Sequence, residues 1–103
     1  MDRATFNSSV IEATFAHVRE LSDRKGRDYS GAEDVLRSFK RNGEYLGLSP
    51  RQVWGVLVLK HWDALMTYIE TGKLESEGIH QRLDDLIVYL LLFKAMEAEK
   101  TDG

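Results

Sequence analysis

A single proline sets where the third helix of this chain must begin. Ser49-Pro50-Arg51-Gln52 combines a serine N-cap, a proline at the first helical position and a glutamine at the third, a reciprocal capping box. Val53, Trp54, Val56, Leu57, Val58 and Leu59 follow, and the run continues to about Glu70 before Thr71-Gly72-Lys73 stops it. The first three turns are apolar around most of their circumference, so this helix is expected to be the central one.

Three further segments carry helical periodicity. The first is expected after the capping types Asn7-Ser8-Ser9, with Val10, Ile11, Thr14, Phe15, Val18 and Leu21 on one side, fading near Lys25-Gly26. Ser30 is placed to cap a short second helix that runs to about Arg41 and ends at Asn42-Gly43, with Val35, Leu36 and Phe39 as its apolar side. The last helix is expected from about Glu77-Gly78-Ile79 to about Glu99, with Ile79, Leu83, Leu86, Ile87, Leu90 and Leu91 along it. No segment reads as a strand. The expected fold is all-α, a compact antiparallel bundle of about four helices in one domain of 103 residues, with a polar tail from about residue 97.

Composition narrows the function classes. The chain has no cysteine, which excludes disulfides and thiolate metal sites and makes a reducing compartment the default. No leader-like apolar segment follows Met1, and no apolar run approaches the roughly 20 residues that span a bilayer, so a cytoplasmic protein is expected. Net charge is −3, with the first 52 residues at +1 and the remainder at −4. That balance argues against a nucleic-acid binder. Arg24, Lys25, Arg27, Arg37, Lys40 and Arg41 nevertheless crowd one region, either as a solvated basic face or as a local phosphate contact.

The residues that bear on chemistry are charges inside the two long helices. A charge on a largely buried helix is costly unless paired. Lys60, Asp63 and Thr67 share one face of the third helix, and Arg82, Asp85 and Tyr89 share one face of the fourth. With the connection centred near residue 75, Asp63 falls about level with residue 87 and Lys60 about level with residue 90, so the two polar stripes are expected to face each other. One reading is a self-neutralising network that only fixes register. The other is a polar pocket in which Lys60 and Arg82 contact phosphate while Asp63 and Asp85 hold Mg²⁺, with Glu75 and Glu77 nearby. Tyr29, between Gly26 and Gly31, is a candidate for stacking on a base. The dispersed histidines 17, 61 and 80 give no zinc spacing, and no serine stands beside a histidine and an acid in an arguable pattern.

Several of these residues carry a family likeness. Lys25-Gly26-Arg27-Asp28-Tyr29-Ser30-Gly31 with Ser38-Phe39, then Lys60-His61-Trp62-Asp63-Ala64, then Glu77 through Arg82, Asp85 and Tyr89 resemble the motif set of the phage nucleotide modification associated domain family. More distantly the chain is similar to the all-α, MazG-like nucleoside triphosphate pyrophosphatases. The resemblance covers about residues 20–95 and implies a helical protein that handles nucleotides in an infected bacterial cell. In the nucleotide-binding reading Lys60, Arg82 and Arg27 contact phosphate, Tyr29 or Tyr89 contacts the base, and Asp63 and Asp85 orient the cations or a ribose. The pyrophosphatases bind Mg²⁺ with Glu-Glu-x-x-Glu on one helix and Glu-x-x-Asp on the next. Here Arg82-x-x-Asp85 stands in the second place, and arginine repels a metal. The leading expectation is therefore a nucleotide binder with little or no catalysis, acting in nucleotide metabolism or sequestering a host signalling nucleotide. The alternatives are an Mg²⁺-dependent pyrophosphatase and an inhibitor that meets a host protein through Trp54, Trp62 and Tyr68. The apolar breadth of the third helix also points to a homo-oligomer.

Overall fold

The computed structural model describes residues 1–75 and 78–100, which form four helices and no strand. Helix α1 occupies residues 3–29, α2 Arg37–Leu46, α3 Pro50–Thr71 and α4 Ile79–Lys100. The all-α fold expected from periodicity is the fold observed. Glu77, where the last helix was expected to start, and residues 101–103 of the polar tail lie outside the described residues.

The third helix is built as its sequence dictates. Ser49 Oγ accepts from the Gln52 amide at 3.1 Å, and Gln52 Oε1 accepts from the Ser49 amide at 2.9 Å. Gly72, at φ +72°, closes the other end by donating to the Tyr68 carbonyl at 2.7 Å.

The first helix departs from expectation at both ends. It starts at Arg3, where Asp2 Oδ1 accepts from the Thr5 amide at 2.7 Å. Asn7, Ser8 and Ser9 are not caps but part of a widened π-helical stretch, Phe6–Glu12. Ser8 Oγ donates back to the Ala4 carbonyl at 3.1 Å, which satisfies the hydroxyl inside the helix and removes the need for a boundary there. At the far end Gly26 sits within the helix, and the chain turns instead at Gly31, φ +77°. The Gly26 carbonyl accepts from both Ser30 and Gly31 amides, at 2.9 and 2.7 Å.

Ser30 is not the N-cap of α2, which is Leu36, but it meets the first turn of that helix from eight residues away. Its Oγ accepts from the Ser38 amide at 3.1 Å, and the helix starts only at Arg37. The helix also outlasts Asn42-Gly43 and ends at Gly47, φ +70°. Gly43 serves contact rather than termination. A Cβ there would lie 2.5 Å from the Leu48 backbone oxygen, so only glycine lets the α2–α3 connection fold back this closely.

Helices α3 and α4 form an antiparallel hairpin. Arg51 Nε donates to Glu97 Oε1 at 2.9 Å, and the rings of Trp54 and Phe93 meet at 4.7 Å. The Trp54 indole donates to the Tyr89 carbonyl at 2.7 Å. Leu36, just before α2, and Phe39 of α2 complete the core with Val53 and Met96. Helix α1 crosses α4, burying Val18 and Leu21. Expected as the central helix, α3 is instead a flank: of its 22 residues only Val53 is buried, because α1 and α2 cover one face of the hairpin alone. No described helix is long and apolar enough to cross a membrane.

Two glycine substitutions test this account by chemical denaturation. Gly43→Ala forces the Leu48 carbonyl away and is expected to cost about 1–3 kcal/mol. Gly26→Ala, with open space around its Cβ direction and a helical backbone, is expected to stabilise by about 0.5–1 kcal/mol.

Candidate functional site

Where α1 crosses α4, the sequence puts two adjacent carboxylates opposite two basic side chains. His17 Nδ1 bonds Asp84 Oδ2 at 2.7 Å, and Lys25 Nζ donates to Asp85 Oδ1 at 3.1 Å. His17 and Lys25 are about two turns, or roughly 12 Å, apart along α1. Both reach neighbouring residues of α4, so the two helices cross steeply at this point. Asp85 is 4% exposed, and Gln81 Nε2, one turn earlier on α4, also donates to its Oδ1 at 3.1 Å. The carboxylate therefore has a charged and a neutral donor, which a buried carboxylate requires.

Above Asp85 the helices leave a cleft of about 460 Å³. Lys25 and Tyr29 of α1 form one side, Ser38 and Phe39 of α2 a second, and Leu57 and His61 of α3 a third. Asp85, Val88, Tyr89 and Leu92 of α4 complete it. The His61 and Tyr89 rings lie 5.1 Å apart, tilted by 46°. Burial pushes the Tyr89 hydroxyl up from its ordinary value, and the charge of Asp85 and the neighbouring Tyr29 push the same way. Tyr89 is thus held as a neutral phenol, able to donate a hydrogen bond into the cleft.

Of the residues singled out from sequence, the structure brings Asp85, Tyr89 and Tyr29 to this cleft. Arg82 stands behind it: buried, with Nη1 donating to His61 Nδ1 at 3.1 Å, an arrangement that requires the ring proton on Nε2. Lys60, Asp63 and Arg27 are exposed and do not line the cleft. The expected facing of the Lys60/Asp63 and Arg82/Asp85 stripes is corrected accordingly. The heights were right, but each residue turns a helix by about 100°. The α3 face turned to α4 holds Trp54, Leu57 and His61, one step round from Lys60. Asp63 and Asp85, expected to hold Mg²⁺ together, are thus not paired across the cleft. Among the described residues no group of three or more His, Asp or Glu side chains is placed to share a metal ion.

Two cleft residues were not assigned to this site from the sequence, although Lys25 was named among the basic residues that could contact phosphate. His61 repeats with Trp54 and Leu57 at spacings of seven and four, which marks the inward face. Lys25 looked like the frayed end of α1, whereas the helix continues another turn and holds it against α4.

Comparison with protein-family models, curated proteins and solved structures finds no match to this chain. The site is therefore interpreted from its own geometry.

Asp85→Ala strands the Lys25 and Gln81 donors and is expected to cost about 1–3 kcal/mol in urea unfolding. Lys60→Ala and Asp63→Ala, on the solvated face, should each stay within about 0.5 kcal/mol. Alkaline titration gives a second check. The folded state holds the Tyr89 proton more tightly than the unfolded state. Its contribution to stability is therefore complete below pH about 10 and falls as pH rises through the higher folded value. Absorbance titration should show one of the four tyrosines ionising after the rest.

Proposed function

We propose that this protein binds a nucleotide, or a closely similar phosphate-bearing aromatic molecule, in the cleft above Asp85. The observation that carries the reading is the joint presence of aromatic walls and a cation in one cleft of suitable size. Tyr29, His61 and Tyr89 offer ring faces and edges to a base, for which stacking contributes about 1–3 kcal/mol per base. Lys25 Nζ, about half exposed, has donors left beyond its bond to Asp85 and reaches solvent where a phosphate would sit. Ser30 and Ser38 add hydroxyls at the α1–α2 side, although the Ser30 oxygen already accepts from the Ser38 amide. At about 460 Å³ the cleft lies within the 300–1,000 Å³ typical of small-ligand sites.

The resemblance of residues 20–95 to phage nucleotide-handling proteins supports the same ligand class, with a role in nucleotide metabolism or in sequestering a host signalling nucleotide. Binding is preferred to hydrolysis because Asp85, the carboxylate in the cleft among the described residues, is already engaged by Lys25 and Gln81. A metal-dependent attack would need that pair to be broken first.

Calorimetric titration against nucleosides, nucleotides and cyclic nucleotides tests the proposal. Micromolar binding of at least one phosphorylated member is expected. Lys25→Met should weaken it about tenfold or more, the loss of a charge-assisted hydrogen bond, while leaving the parent nucleoside little changed. No heat with any member overturns the reading. Mg²⁺-dependent pyrophosphate release from a triphosphate would replace it with the pyrophosphatase alternative.

A further inference from the structure

The face of the α3–α4 hairpin turned away from α1 and α2 has a regularity that the fold of one chain uses only in part, Phe93 at its end packing on Trp54. On α3, Gly55, Leu59, Trp62, Met66 and Ile69 recur at intervals of four, three, four and three. On α4, Ile79, Leu83, Leu86, Leu90 and Phe93 recur at the same intervals. This is the seven-residue apolar repeat by which one helix packs knobs into the holes of another. The inward faces carry their own repeats, Trp54, His61 and Tyr68 on α3 and Arg82, Asp85, Tyr89, Leu92 and Met96 on α4, so these seams are additional.

Both seams lie on one side of the molecule. On α3 the seam is about half a turn from Val53, which packs against Leu36 and against Phe39 of α2. On α4 it is about half a turn from Asp84 and Asp85, which meet α1. The register given by Arg51 with Glu97 and Trp54 with Phe93 sets Leu59 about level with Leu90 and Trp62 about level with Leu86. The result is one broad apolar face without a charged residue in either seam. It is uncovered: Leu59 is 58% exposed, Trp62 48%, Ile69 66% and Leu90 58%. A Cβ on Gly55 would point into open space, so this helix-interior glycine is unexplained by contacts within the chain and would permit close approach of a second backbone.

Surface area indicates what covers this face. An 11.8 kDa monomer is expected to expose about 5,900 Å², and this chain exposes 7630 Å², an excess of about 1,700 Å². The first turns of α1, with Phe6, Ile11 and Phe15 exposed, account for part of that. Half of the excess would still match the roughly 800 Å² per partner of a standard stable interface. A hairpin with two matched seven-residue seams is self-complementary, as a two-fold interface must be. We infer that the α3–α4 seam face docks against the same face of a second copy of this chain, the two hairpins forming a four-helix bundle that leaves both clefts on the outside.

The test uses the full chain. Sedimentation equilibrium at micromolar concentration should give about twice the 11.8 kDa chain mass. Leu90→Glu should raise the dimer dissociation constant about thirtyfold or more, as removal of a central interface anchor does. Because the chain has no cysteine, Leu90→Cys and Tyr45→Cys provide a readout that does not depend on a charged variant folding. In the native assembly the thiol at 90 should react with a maleimide at least tenfold more slowly than the thiol at 45, and dilution should abolish the difference. A mass of one chain at all concentrations, whatever other protein the chain captures, overturns the inference. So does an oligomer in which the thiol at 90 stays as reactive as that at 45.

Discussion

The crossing of α1 over α4, and the cleft beside it, depend on one buried carboxylate. Asp85 lies where α1 crosses α4, and an isolated charge there would be prohibitively costly. Lys25 and Gln81 make it tolerable, and the lysine ties α1 to α4 beside the His17–Asp84 contact. Lys25 must extend from α1 at a fixed height, which holds that helix across α4. With α1 held there and α2 attached through Ser30, one face of the α3–α4 hairpin is roofed. The cleft is the space left between this roof and the hairpin. Its polarity is a by-product of the pairing: the lysine that neutralises Asp85 is also the cation at the cleft wall.

The apolar contacts explain why the roof is partial. The main core gathers Leu36, Phe39, Val53 and Met96 at the end of the hairpin where α2 packs. Val18 and Leu21 form a smaller buried contact under α1. The cleft lies beside these contacts, bordered by aromatic rings from α1, α3 and α4. A ligand there would complete the packing beside them. This explains how so small a protein can present a cleft without a dedicated cavity domain.

Much of this was legible in the sequence, and the failures have specific physical causes. The start of α3 was readable because capping is local: four consecutive residues carry the whole signal. The antiparallel register was readable because a short connection leaves little freedom in height. Rotation was harder. Lys60 and His61 are adjacent in sequence, and only packing decides which of them faces α4. Choosing the charged residue over the aromatic one turned the expected site by about 100°. The end of α1 was misjudged because glycine often stops helices, yet Gly26 is compatible with helix when the next glycine, Gly31, supplies the left-handed turn. That error left Lys25 as one of a basic cluster and concealed its contact with α4. The breadth of apolar sequence on α3 was read correctly as more than one core can bury, although it belongs to a flanking helix and not to a central one.

The bond from the Trp54 indole to the Tyr89 carbonyl limits how this molecule can move. The carbonyl lies inside a helix, and the donor is a rigid ring wedged against Phe93. Sliding α3 along α4 by a single residue, about 1.5 Å, would pull that bond apart. Shear between the two long helices is thereby blocked, and hinging remains the available motion. The hairpin thus acts as a frame that holds the His61 and Tyr89 rings at a fixed separation on the cleft wall.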